Sequence, residues 1–194
     1  AVKIMRSDLP SDPVDRFRRE AHVLATLAHE HIARILDRQD PETGPRFLVT
    51  EYIDGVDLSV LRRRGPVPAV VVHQIGLQVS AALAYAHDAG VVHRDINPSN
   101  LMLVRHSSGD IFTKVIDFGI AKLEYGSSIA APEHAPAGAR LVTRGDVVLG
   151  TAPYYCGHEG PRRDIHALAL TLAELLTGDR PDRVDLTRAD LPPA

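Results

Sequence analysis

Apolar residues recur along this chain at two periods, and the period in force changes with position. Ala1-Val2-Lys3-Ile4-Met5 sets small or apolar residues around one lysine. That alternation predicts a strand turning Lys3 to the face opposite Val2 and Ile4. Asp12-Pro13-Val14-Asp15 then starts a helix, with Asp12 as N-cap, Pro13 in the first turn and Asp15 near the positive end of the dipole. Val14, Phe17, Ala21, Leu24 and Ala28 form its apolar stripe, and Glu20 lies beside it. Ile32 to Leu36 and Phe47 to Tyr52 predict two strands, antiparallel because Asp40 to Pro45 between them is turn chemistry. A short helix from Leu58 is stopped after Arg64 by Gly65-Pro66. A long one follows, from about Pro68 to Ala89, with Val72, Ile75, Val79, Ala82, Leu83 and Ala86 as its stripe and Gly90 as its stop. Leu101 to Val104 and Phe112 to Ile116 predict a hairpin around Ser107-Ser108-Gly109-Asp110. Residues 124–149 are rich in Ala, Gly, Pro and Ser and read as a long loop.

Composition narrows the function classes. The 194 residues are 44% hydrophobic and 24% charged, ordinary globular values and enough chain for a sizeable core in one domain or two small lobes. A net charge of −3 gives no basic footprint for nucleic acid. Local clusters at Arg16, Arg18, Arg19 and at Arg62-Arg63-Arg64 read as solvated helix faces. Cys156 is the single cysteine, so no intrachain disulfide forms, and a reducing, cytoplasmic location is the expectation. No apolar run is read as reaching membrane-spanning length; the best candidate, Ile165 to Leu176, is short and contains Glu174. No signal peptide is read. The chain begins without Met in what reads as mid-strand, as a fragment would. His29-Glu30-His31 has no partner set at structural-zinc spacing, so these are expected to be surface or core histidines.

Candidate chemistry concentrates in Val92-His93-Arg94-Asp95-Ile96-Asn97-Pro98-Ser99-Asn100, a loop between the long helix and a strand. A polar loop of this kind needs a purpose other than core packing. Asp95 is placed to accept a proton from a hydroxyl, and Asn100 to offer a carbonyl oxygen to a hard cation such as Mg²⁺. A second carboxylate, Asp117, ends the next strand in Lys114-Val115-Ile116-Asp117-Phe118-Gly119. Gly119 permits a sharp turn there. His93 reads as a packing residue.

H-R-D-x-x-x-x-N followed by D-F-G resembles the signature of protein kinases, and the whole constellation is specific where D-F-G alone would be weak. Ala1-Val2-Lys3 is similar to the kinase strand-lysine motif, and Arg16 to Ala21 to the helix that follows it in bacterial serine/threonine kinases. The resemblance, to bacterial Hanks-type kinases, runs from Ala1 to about Pro181. It implies an α+β, bilobal fold with a partial strand-rich lobe over residues 1–53, a mainly helical lobe over 54–181 and a tail at 182–194.

The activity it implies is transfer of the γ-phosphate of ATP to Ser/Thr hydroxyls of proteins. Asp95 would be the base, and Asn100 and Asp117 the Mg²⁺ ligands. Lys3, paired to Glu20, would hold the phosphates. Ala1, Met102, the Glu51 carbonyl and the Ile53 amide would receive the adenine, with Thr50 as gatekeeper and Asp57 near the ribose. Thr151, in Gly150-Thr151-Ala152-Pro153-Tyr154, would contact the catalytic aspartate. Arg94 implies regulation through phosphate on the activation loop, with Ser127, Ser128 and Thr143 as candidates. Ala131-Pro132-Glu133 falls too soon after Asp117 to end that loop. Arg163 to Leu168 resembles the start of the central helix of the second lobe, running to Leu176 and ending at Gly178.

The chain departs from the family pattern in four places. It has no Gly-rich phosphate loop, so the resemblance implies truncation at both ends. Asn97 stands where these kinases usually carry a lysine. Only Gly160 to Arg163 separate Glu159 from Asp164, and the helices that complete the second lobe are missing. A pseudokinase-like scaffold is the alternative function, and a small-molecule phosphotransferase a weaker third.

Overall fold

In the computed structural model, which describes residues 1–4, 23–39, 47–105, 110–118, 154 and 160–180, the two apolar periods settle into separate layers. β1 (Val2–Ile4), β2 (Ile35–Gln39) and β3 (Phe47–Thr50) form one antiparallel sheet in the order β1-β3-β2. Leu48 holds its centre, opposite Lys3 on one side and Arg38 on the other, and is fully buried. The register slips between Ile35 and Asp37, which leaves Leu36 exposed despite its apolar side chain.

Expected boundaries move: the second hairpin strand is Ile111–Val115 rather than Phe112 to Ile116, the short helix ends at Arg62 rather than Arg64, and three further shifts have a physical reason. The helix predicted to reach Ala28 is helical only to residue 26 in its described part, and Leu27 rather than Ala28 is buried beside Leu24. Leu27 has the larger apolar surface to remove from water. The strand expected from Ile32 begins at Ile35, because Ile32 makes an isolated parallel bridge to Val115. Val115 N donates to His31 O at 2.8 Å and Ala33 N to Val115 O at 2.9 Å, so these residues tie the first sheet to the second. The strand expected to reach Tyr52 ends at Thr50, and Tyr52 is largely exposed. The helix start at Asp12, the turn from Asp40 to Pro45, the turn at Ser107 to Gly109, residues 124–149 and the tail lie outside the described residues.

The second sheet has the order β4 (Val56–Asp57), β5 (Leu101–Arg105), β6 (Ile111–Val115). β5 and β6 are the expected hairpin, in register from Leu101 opposite Val115 to Arg105 opposite Ile111. β4 was not expected. It reaches β5 because Gly55 has no side chain: a Cβ there would lie 2.6 Å from Leu103 O. His31 is buried with Nδ1 2.9 Å from Thr113 O, and His29 stacks 5.2 Å from Tyr85, which places both histidines in packing roles.

α1 (Leu58–Arg62) is capped by Asp57, whose carboxylate accepts from Val60 N at 3.1 Å. α2 (Ala69–Asp88) buries Val72, Ile75, Val79, Ala82, Leu83 and Ala86, the stripe its period predicts. Gly90, at φ 74°, follows its end. Among the described residues α2 is also the one helix long and apolar enough to cross a membrane, with mean hydropathy 1.4. That corrects the choice of Ile165 to Leu176 as the best candidate. In this fold the stripe of α2 packs on β6 and on α3 (Pro161–Thr177), as a core helix does. α3 stops at Gly178 in the left-handed conformation, φ 78°, where glycine carries no Cβ penalty.

Candidate active site

The loop between α2 and β5 is held from beneath by one buried acid. Asp164, in the first turn of α3, is fully buried. Its Oδ1 accepts from Arg94 N at 2.7 Å, and its Oδ2 accepts from His93 N at 2.7 Å and lies 2.8 Å from His87 Nε2 at the end of α2. Arg94 sits at φ 71°, a conformation costing a non-glycine residue about 1–3 kcal/mol unless its surroundings fix it. The Asp164 carboxylate is what fixes it.

His93 continues the scaffold. Its Nδ1 accepts from Asp95 N at 3.2 Å and its Nε2–H donates to Ile116 O at 2.9 Å, which sets the tautomer. Its ring meets Phe118 edge-on at 4.7 Å. Asn97 is buried, accepts from Ser99 N at 2.9 Å and donates to Asp95 O at 3.0 Å. It opens the short 3₁₀ turn Pro98–Asn100. Its amide therefore braces the loop, a role that residue order alone did not reveal.

Asn100 completes the loop. Its Nδ2 donates to Asp95 O at 2.7 Å and to Asp95 Oδ2 at 3.0 Å. With the nitrogen fixed, the amide cannot flip, and Oδ1 is the face left to a cation. Ile116 N donates to Asn100 O at 3.0 Å, which brings the next residue, Asp117, alongside. Asp117 is at φ 60°. The Asn100 amide oxygen and the Asp117 carboxylate fit Mg²⁺, a hard ion that takes one or two protein oxygens and fills its shell with phosphate and water. Among the described residues no group of three or more His, Cys, Asp and Glu forms a closed cage for a metal.

A cleft opens beside this corner, between the two sheets. Ala1, Thr50, Glu51, Ile53, Met102 and Asp117 line it, together with apolar Leu24, Leu27, Ile32 and Ile35. Asp57 does not. Its carboxylate instead caps α1, accepting from Val60 N and from the Ser59 hydroxyl. Lys3 is placed by its backbone, opposite Leu48. The Lys3 side chain, Glu20, Thr151, Ser127, Ser128 and Thr143 lie outside the described residues.

Glu51 anchors the connection between the sheets. Its Oε1 accepts from Lys114 Nζ at 2.7 Å and from Arg34 N at 2.9 Å. Burial pushes its pKa up, but the hydrogen bonds and charges of Lys114 and Arg34 outweigh burial and hold it below the ordinary value. A carboxyl depressed by folding adds stability above its unfolded pKa, about 4.3, and loses it as pH falls through the folded value. The melting temperature gap between the parent and Glu51→Gln is therefore expected to be widest near neutral pH and to close in acid. Thermal melts across that range check it, and a pH-independent gap contradicts it.

Sequence reading missed Asp164, Glu174, Tyr154, Arg62 and Lys114 as parts of this assembly. Two carried a usable signal. Asp164 and Glu174 share the buried stripe of α3 with Ala167, Leu168, Thr171 and Leu175, and an acid on an apolar stripe implies a partner. The Tyr154 hydroxyl donates to Glu174 Oε2, and Arg62 Nε lies 3.0 Å from Oε1. Burial, then the hydrogen bond and charge of Glu174, raise the Tyr154 pKa above its ordinary value.

Strands above, helices below, a hinge between them and a carboxylate–amide corner under the cleft are the protein-kinase fold. A crystal structure of Rad53 in complex with AMP-PNP superposes with a TM-score of 0.68 over 98% of this chain and 43% of that one, at 22% identity. The chain belongs to the protein kinase domain family, whose pattern matches residues 1–188. It is 36% identical to the serine/threonine-protein kinase PknB of Mycobacterium leprae, over 93% of this chain and 28% of that protein. It is also 36% identical to the serine/threonine-protein kinase pkn3 of Myxococcus xanthus, over 95% and 34%. The chain thus spans about a third of the length of these relatives. Members of the family generally use ATP and Mg²⁺.

Proposed function

We propose that this chain is the catalytic part of an ATP-dependent serine/threonine protein kinase. The observation that carries the reading is the Asp95–Asn100 side-chain contact, joined to Asp117 through the Ile116 N to Asn100 O hydrogen bond. It gathers a proton acceptor and two cation-capable oxygens, with Asp117 lining the cleft and Asp95 and Asn100 lining the groove beside it. Asn100 and Asp117 would hold Mg²⁺, which would supply charge neutralisation on the ATP phosphates. Asp95 orients the substrate hydroxyl and takes its proton. Ala1, Met102, Glu51 and Ile53, which line the cleft, would receive the adenine. Lys3 and Glu20 would hold the phosphates and Thr151 would meet Asp95, as the resemblance implies; these side chains lie outside the described residues.

Asn97 supports a second reading, a nucleotide-binding scaffold. Its amide is turned into the loop, so it brings no positive charge to the γ-phosphate. One assay separates the two. The chain, and a version extended upstream, are given ATP labelled at the γ-position and a generic protein substrate. Label on Ser or Thr is the expected result. Nucleotide binding with no label from either version supports the scaffold, and neither binding nor label removes both readings.

A further inference from the structure

The groove beside Asp95 has a wall that the catalytic loop does not use. That wall is the end of α1, and together with Arg180, three residues past the end of α3, it brings Arg62 and Arg63 to the groove. Two carboxylates line the same groove, Asp95 and Glu174. Glu174 is almost fully buried and already meets the Tyr154 hydroxyl and, at 3.0 Å, Arg62 Nε. Its charge is matched from within. Arg63 is steadied at the mouth, where Nη1 donates to Ser59 Oγ at 3.2 Å. With Arg62 committed to Glu174, Arg63 and Arg180 are the two further arginines that line the groove, beside Asp95. The run Arg62-Arg63-Arg64 is not simply a solvated helix face: two of its members turn to this groove.

We propose that the groove selects protein substrates carrying an acidic or phosphorylated residue close to the target hydroxyl, with Arg63 and Arg180 as specificity-determining residues. The proposal rests on the kinase reading above. Guanidinium groups pair with carboxylate and phosphate through charge-assisted hydrogen bonds, with the planar fork matching both. A lysine at the same place in a substrate meets like charge at short range, so discrimination comes from repulsion as well as attraction.

The test uses Ser/Thr peptides that differ at one position, carrying Glu, phosphoserine, Ala or Lys at each site flanking the hydroxyl. kcat/KM and peptide affinity by fluorescence anisotropy are both measured on the chain. At one or two positions the Glu and phosphoserine peptides are expected to exceed the Lys peptide by roughly tenfold or more, as one charged hydrogen bond allows. Arg63→Glu and Arg180→Glu are expected to reverse that order, a result that loss of folding does not produce. Equal use and equal binding of Glu and Lys peptides overturn the proposal and leave the kinase reading standing. If neither the chain nor its upstream-extended version phosphorylates any peptide, the kinase reading fails, and the binding series still decides the groove: tighter Glu binding supports it and equal binding overturns it.

Discussion

Asp95→Asn is expected to lower phosphoryl transfer by roughly 10²–10⁴-fold, the range for loss of a positioned general base. The physical ground is narrow. An Asn at this position keeps the backbone carbonyl that accepts from Asn97 Nδ2 and Asn100 Nδ2 at 3.0 and 2.7 Å. It also keeps a side-chain oxygen for the 3.0 Å contact with Asn100 Nδ2. The loop should therefore stay in place while the group that takes the hydroxyl proton is lost. The expected signature is a fall in kcat with nucleotide affinity near that of the parent. Paired measurement of kcat and nucleotide Kd checks it. An unchanged rate removes Asp95 as the base, and loss of both quantities points to a loop that has moved.

Asp164→Ala is expected to cost about 3–5 kcal/mol, the range for removing one partner from a buried charged network. Three groups lose their acceptor together: His93 N, Arg94 N and His87 Nε2. Asp164 is fully buried, so water does not replace it without opening the core. Asp164→Asn is expected to do nearly as badly, although it is isosteric. Its NH₂ must face one of the two backbone N–H groups, because Oδ1 and Oδ2 each accept from one of them. Urea unfolding of both variants measures the loss. An Asn variant as stable as the parent would show that one of these two hydrogen bonds contributes nothing. Activity is expected to fall with stability, since Arg94 at φ 71° has no other anchor of this kind among the described residues.

The buried stripe of α2 was legible residue by residue and the β5–β6 hairpin to within one residue, because each has one face to bury and a period that marks it. Boundaries failed where a residue served a second partner. Ile32 reads as the first residue of a strand, yet it bridges Val115 in the other sheet. Val115, the partner Ile32 meets, lies far along the chain, and no period marks it. Asp57, which the resemblance sets near the ribose, also caps α1, a local role that residue order did not announce.

The loop from Val92 to Asn100 shows the same division. The sequence by itself determined which chemical groups exist and in what order: an acid, an amide and a second acid at the ends of adjoining strands. It also determined that the groups lie on a loop, since no apolar stripe runs through it. Tertiary structure decided which of them face the cleft and which hold the loop. Asn97 turns inward and braces Asp95, while the nitrogen of Asn100 is fixed so that its oxygen turns outward. Asp164, far along the chain, sets the backbone at His93 and Arg94. Hydrogen bonds of this kind are chosen by distance and direction in space. A one-dimensional pattern records which donors and acceptors are available, but not which of them meet.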